Sequence, residues 1–162
     1  MKPTLFEIER DGSGRIATMA CPRGGDWLAD EIEALRAAGV DVLVSALAES
    51  ELAELRLTAE PELAKQAGLT FVSFPIPDRG VPAVAAPVSD LVGHLEELLS
   101  AGQFVVVHCR AGIGRSSLLA AVVLVREGLS PAEAWERISA ARGLTVPDTE
   151  VQQAWLAAFA GT

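Results

Sequence analysis

The sequence predicts a three-layer α/β fold: a mostly parallel central sheet of about five strands flanked by helices. Three observations carry this expectation. Short β-branched runs alternate with helical patterns along the chain, as βαβ units require. The runs "VDVLVSAL" and "QFVVV" are continuously apolar rather than alternating, which marks strands buried on both faces. Half of the 162 residues are apolar and 22% are charged, enough to build one real core but not two comfortable ones. With no internal repeat, low-complexity linker or charge block, residues 1–162 read as one continuous domain.

Each element has its own local cause. "TLFEIER" and "RIATMA" flank the turn "DGSG", which predicts a β-hairpin. "GDWLADEIEALRAAG" reads as a helix with Asp26 as N-cap and Gly39 as its stop. "VDVLVSAL" is a short buried strand, and "SELAELRL" and "PELAKQAG" are short helices. "LTFVSFPI" is a further strand, broken by the prolines of "PIPDRGVP". "PVSDLVGHLEELLSAG" is an amphipathic helix, on which His94 reads as surface or filler, and "QFVVV" is the next buried strand. A helix through Arg126, one opened by "SPAEAW" and a last one in "PDTEVQQAWLAAFA" complete the chain. Trp27, Trp135 and Trp155 fall on apolar helical faces and read as core. In such sheets ligands bind beyond the carboxyl ends of the strands.

Composition narrows the function. A net charge of −9 argues against nucleic-acid or anionic-membrane partners, which are held by basic surfaces. No stretch approaches the length of a membrane span, and "MKPTLFEIER" has no apolar core for a signal peptide, so the expected location is cytoplasmic. Cys21 and Cys109 are far apart and form no disulfide framework. The only histidines, His94 and His108, lack metal-ligand spacing, so neither a metal nor another cofactor is expected.

The chemistry concentrates in "HCRAGIGRSS", residues 108–117, between the strand "FVVV" and the helix "LLAAVVLV". Successive N–H groups in a glycine-bearing turn that opens a helix form an anion cradle. Gly112 and Gly114 permit the backbone path, and Arg110, Ala111 and Ile113 complete the wall. Arg115 can offer a planar fork to two phosphate oxygens. Cys109 lies at the base, where N–H dipoles and Arg115 favour the thiolate. Ser116 is placed to donate a hydrogen bond to that sulfur.

"HCRAGIGRS" resembles the HCxxGxxR(S/T) signature of the cysteine-dependent protein tyrosine phosphatase superfamily, with His108, Cys109, Gly112, Arg115 and Ser116 at every fixed position. The order of elements is similar to the compact dual-specificity branch, in its KAP-like and bacterial forms, from about Ile16 to Phe159. The resemblance implies a phosphotyrosine-protein-phosphatase-like sheet, Cys109 as nucleophile, Arg115 as phosphate clamp, Ser116 as stabiliser of the departing thiolate and His108 as a supporting residue that bonds backbone and tunes the thiolate rather than handling protons itself. Rhodanese-type sulfurtransferases share "CRAG", but their loop closes one residue sooner, whereas five residues separate Cys109 from Arg115. Low-molecular-weight phosphatases carry such a loop near the N-terminus, and this one is late in the chain.

That resemblance also implies a carboxylic acid to protonate the leaving oxygen and later to activate water. Asp78 in "PIPDRGVP" follows the preceding parallel strand and has a separation from Cys109 similar to the family's; its alternative is a simple turn residue. The loop lacks the tryptophan of the larger tyrosine-specific enzymes, which argues against a large lid closure. Arg79 and Arg110 flank the expected pocket, as substrate contacts or as solvated surface. Thr145 in "GLTVP" resembles a pocket-wall loop of lipid-directed relatives, or is a helix lead-in. Gln152 either orients water, as a late glutamine does in tyrosine-specific relatives, or is an exposed helix residue, the favoured of the two. Cys21 lies at the same sheet edge, as a redox partner of Cys109 or as an inert thiol.

The function expected is a phosphomonoesterase for phosphoproteins, phosphotyrosine first with phosphoserine and phosphothreonine within reach, working through a cysteinyl-phosphate. The alternative is a phosphoinositide or small phosphorylated-metabolite phosphatase of the same fold. Lipid-directed relatives carry lysines inside the loop where Ala111 and Ile113 stand. A non-catalytic phosphoresidue binder would need to lack the cysteine, arginine or acid, and all three are present.

Overall fold

The computed structural model describes residues 2–162. Five strands, β1 (Phe6–Glu7), β2 (Arg15–Met19), β3 (Val42–Ser45), β4 (Thr70–Ser73) and β5 (Phe104–His108), form one sheet in the order β1-β2-β5-β3-β4. The turn at residues 11–14 folds β1 antiparallel on to β2, and every other pairing is parallel. The helices are α1 (Leu28–Ala37), α2 (Glu49–Glu54), α3 (Glu60–Gln66), α4 (Val88–Ser100), α5 (Arg115–Arg126), α6 (Pro131–Arg142) and α7 (Glu150–Ala160).

Strand periodicity assigns the layers. Successive side chains of β5 point to opposite faces. Val105 and Val107 enter a core with Leu95, Leu119, Ile138 and Leu156 of α4 to α7; Phe104 and Val106 enter a second core with Leu28, Ile32 and Leu35 of α1 and Ala64 of α3. Both faces of β5 are therefore covered, which is why its sequence is unbroken apolar. Burying a side chain such as Leu95 contributes about 1.5–3 kcal/mol. No helix among the described residues is long and apolar enough to cross a membrane.

Local signals explain the helix ends. Ser130 caps α6, accepting from Glu133 N–H while Glu133 reaches back to Ser130 N–H, and Thr149 Oγ1 accepts from Gln152 N–H at the start of α7. Two expectations about the first helix are corrected. Asp26 is not its N-cap: residues Gly25–Trp27 form a separate 3-10 turn, and α1 starts at Leu28 behind Trp27, without a side-chain cap. Trp27 is not core either. It is 55% exposed, because that turn is tied to the backbone of Arg56 and the apolar stripe begins one residue later; the Arg23 guanidinium lies 4.4 Å over its ring. Trp135 and Trp155 pack against the core as expected, and His94 is exposed.

The parallel strands all end at one edge of the sheet, so the loops after β2, β3, β4 and β5 converge there. This convergence positions the site.

Candidate active site

Residues 109–114 leave β5 and curl into the N-terminus of α5 at Arg115. Gly112 has φ +71°, and a Cβ there would come within 2.7 Å of the Met19 carbonyl carbon, so only glycine lets the loop rest against the end of β2. Gly114 is needed for a different closeness: a Cβ would meet Asp148 Oδ1 at 2.6 Å and the Gln152 amide at 2.9 Å.

Cys109 is buried on the loop floor, its Sγ 3.2 Å from Ser116 Oγ. Over it opens a cavity of about 210 Å³ lined by Asp78, Arg79, Cys109, Arg110, Ala111, Ile113, Gly114, Arg115, Asp148 and Gln152. Ser116 and His108 lie beneath it, and Gly112 forms the back of the loop.

Arg115 is only 2% exposed and its orientation is fully specified. Nη1 donates to Glu51 Oε1 at 2.5 Å and to the Ile76 carbonyl at 3.0 Å; Nη2 donates to Glu51 Oε2 at 3.0 Å and to Asp78 Oδ1 at 3.1 Å. Burial opposes the guanidinium charge, but the hydrogen bonds and charge of Glu51, with Cys109 and Asp78 nearby, outweigh it and push its pKa up. The bonds from Arg115 in turn hold the Glu51 carboxyl below the usual range, against the effect of burial, with help from the Ala48 N–H. Glu51 sits in the first turn of α2, directly after the β3 loop. An acidic residue following a buried strand at the correct sheet edge was the one signal for it in the sequence.

Behind Cys109, His108 is wholly buried. Its Nε2 lies 2.6 Å from Glu60 Oε2 and its Nδ1 lies 3.2 Å from the Cys109 carbonyl. That carbonyl can only accept, so Nδ1 is the donor of this bond. His108 thus bonds the backbone carbonyl of Cys109.

Asp78 follows β4 and faces the cavity with a side chain 54% exposed. Its loop is pinned on both sides. Gly80 N–H closes a turn on to the Pro77 carbonyl, Arg79 Nη1 pairs with Asp148 at 3.2 Å, and Gln152 Nε2 donates to the Gly80 carbonyl at 3.0 Å. The expectation that Gln152 is exposed is corrected: it is fully buried, because α7 packs over the loop, and its Oε1 finds no protein partner. Thr145 is exposed and lies outside the cavity wall, since residues 143–145 turn outward after α6 and Asp148 takes the wall position instead. Arg110 on the rim is bound to Glu54 at 2.7 Å, which raises its pKa. Cys21 is a half-buried free thiol behind the loop; burial first, then the nearby Cys109 and Glu60, push its pKa up. Glu51, Glu60, Asp148 and Arg142, whose place is described below, are the site residues that sequence reasoning missed.

The fold is that of the cysteine-dependent phosphatases. A solved structure of kinase associated phosphatase carrying a cysteine-to-serine substitution matches with a TM-score of 0.87 at 22% identity, over 98% of this chain and 94% of that one. PTPMT1, also solved in complex with PI(5)P, matches at 0.75 and 25%, over 96% and 94%. Among curated proteins, cyclin-dependent kinase inhibitor 3 of Sus scrofa is 29% identical over 131 residues, 80% of this chain, and that of Homo sapiens is 28% identical over the same length. The chain spans 61% of the length of these relatives. The profile described as "Polymorphic toxin system, DSP-PTPase phosphatase" matches residues 17–129, and the chain belongs to this dual-specificity phosphatase family.

Proposed function

We propose that the protein hydrolyses phosphomonoesters on proteins, phosphotyrosine first and phosphoserine and phosphothreonine also, through a cysteinyl-phosphate on Cys109. The observation that carries this reading is the convergence of Cys109 and Arg115, from one loop, with Asp78, from a separate one, on one small cavity.

The geometry supports a two-step path. The ester phosphate sits in the 109–114 loop with one oxygen on Arg115 Nε and another on Nη2, taking the place of Asp78 there, and the loop N–H groups and the start of α5 hold the rest of its charge. Cys109 Sγ attacks phosphorus, and the bond from phosphorus to the ester oxygen breaks as Asp78 gives that oxygen its proton. Water then attacks the phosphocysteine and Asp78 takes back a proton. The sulfur–phosphorus bond breaks, and Ser116 Oγ–H, 3.2 Å away, steadies the departing thiolate. Gln152 Oε1, buried beside the cavity without a partner, is placed to accept a hydrogen bond from that water. Arg79, Arg110, Ala111, Ile113 and the two loop glycines bound the substrate.

The rim favours a protein phosphoester over an inositol phosphate. Arg79 and Arg110 are each already neutralised by Asp148 and Glu54, and Ala111 and Ile113 add no cation to hold further phosphates. The same reading has the enzyme act in the cytoplasm, where a nucleophilic thiol stays reduced, without nucleic-acid or membrane partners. The test is a panel of p-nitrophenyl phosphate, phosphotyrosine and phosphothreonine peptides and inositol phosphates, on the wild type and Cys109→Ser. Turnover of aryl phosphate and peptides with the wild type, none with the variant, and a phosphocysteine caught by acid quench and mass spectrometry are expected. Equal turnover by Cys109→Ser removes the covalent path, and preference for inositol phosphates reverses the substrate assignment.

A further inference from the structure

A phosphate cradle needs its peptide N–H groups turned inward, which turns the carbonyls of the same peptides outward, where each needs a donor. Three of these carbonyls have one. The Arg110 carbonyl accepts from Cys21 N–H at 3.2 Å; the Gly112 carbonyl accepts from Arg142 Nε at 3.0 Å, and the Ala111 carbonyl from Arg142 Nη2 at 3.4 Å. One side chain thus spans two consecutive carbonyls on the outer side of the loop.

Arg142 is well fixed for that task. It is the last residue of α6, next to Gly143 in the left-handed conformation that ends the helix. Its guanidinium lies 4.2 Å over the Phe6 ring of β1, so three elements meet at this group. The need for such a brace comes from Gly112 itself. Glycine accepts either sign of φ, so the residue that allows the loop its path does nothing to prevent its peptides from turning over. The donors behind them must do so.

We propose that Arg142 is a positioning residue of the phosphatase site: its fork holds the Ala111 and Gly112 carbonyls outward and so keeps the cradle's N–H groups aimed at phosphate in the empty enzyme. It touches neither substrate nor nucleophile. This inference rests on the phosphatase function proposed above and adds a determinant outside the cavity wall.

The test uses Arg142→Lys and Arg142→Met, with kcat/KM on p-nitrophenyl phosphate, the inhibition constant of inorganic phosphate and the thermal midpoint. The inhibition constant is independent of how much protein is folded, so a purely structural residue leaves it unchanged. A misaimed cradle should weaken inorganic phosphate roughly 10- to 100-fold and lower kcat/KM by a similar factor. Lysine should fail nearly as badly as methionine, because a point-charge ammonium cannot span two carbonyls. An unchanged inhibition constant in either folded variant, or full rescue by lysine, overturns the proposal, the latter because charge alone would then suffice. Unfolding of both variants also overturns it, making Arg142 a residue of the fold. If the wild type itself turns over no phosphomonoester, the failure belongs to the function; an active wild type with unaffected variants fails the positioning inference alone.

Discussion

Replacing Glu51 with glutamine removes the anion that aims Arg115 while keeping the shape of the side chain. In the native site the two carboxylate oxygens accept from both terminal nitrogens of Arg115, at 2.5 and 3.0 Å. The amide oxygen can still accept from one nitrogen, but the amide NH2 confronts the other. Each charge-assisted bond is worth about 1.5–3 kcal/mol, and the bonds from Arg115 to the Ile76 carbonyl and Asp78 survive, so the loss should be about 2–3 kcal/mol rather than the 3–5 kcal/mol of an orphaned buried charge. The remaining anchors draw the guanidinium toward Asp78, and kcat/KM should fall roughly 10- to 100-fold. Vanadate, an oxyanion that fills the cradle, should recover more thermal stability in Glu51→Gln than in the wild type, since it supplies the missing negative charge. Acid titration gives an independent check. The folded-state pKa of Glu51 lies below its unfolded value, so its stabilisation is present above the unfolded value of about 4.3 and disappears as pH falls through the folded one. The stability gap between wild type and variant should therefore hold at neutral pH and close in acid below about pH 4. Thermal unfolding from pH 7 to 3, beside steady-state kinetics, measures both. A variant with wild-type kcat/KM, or a stability gap indifferent to pH, would refute the argument that this pair aligns the clamp.

Two further outcomes follow from the same geometry. Asp78→Ala should cost roughly 10² to 10⁴ in rate on phenyl phosphate, but much less on esters of strongly acidic phenols, whose anions leave without a proton; the alkaline limb of its pH–rate profile should also flatten. Equal losses across leaving groups would remove Asp78 from the acid role. Gly112→Ala forces a side chain into φ +71° and against the Met19–Ala20 backbone, so it should lower stability by about 1–3 kcal/mol or more and abolish phosphate binding, which thermal unfolding with and without phosphate would detect; an unperturbed melting curve contradicts the close approach.

What could be read from the sequence follows how local each feature is. The order of strands and helices was legible because continuous apolar runs and capping residues act over a few positions. The loop that lines the cavity was legible because Cys109, its glycines and Arg115 are consecutive. Glu51, Glu60 and Arg142 were not, because each acts on the loop from another helix and nothing in its own neighbourhood marks the contact. Gln152 and Trp27 failed in opposite directions for one reason. Periodicity gives the face of a helix but not what packs on it: α7 lies over the Asp78 loop and buries an amide, while the turn before α1 leaves an indole in solvent.

The strand order has a consequence for how the molecule comes to exist. β5 lies between β2 and β3, yet it is the last strand in the chain, and residues 15–19 and 42–45 wait for residues 104–108 to arrive between them. Until then two strands carry open hydrogen-bonding edges with no partner, the condition that invites association between chains. Contacts this distant in sequence slow folding. Because the cradle grows directly out of β5, insertion of the central strand and assembly of the phosphate loop are one event. A nascent chain ending before Phe104 has neither a closed sheet nor a phosphate loop.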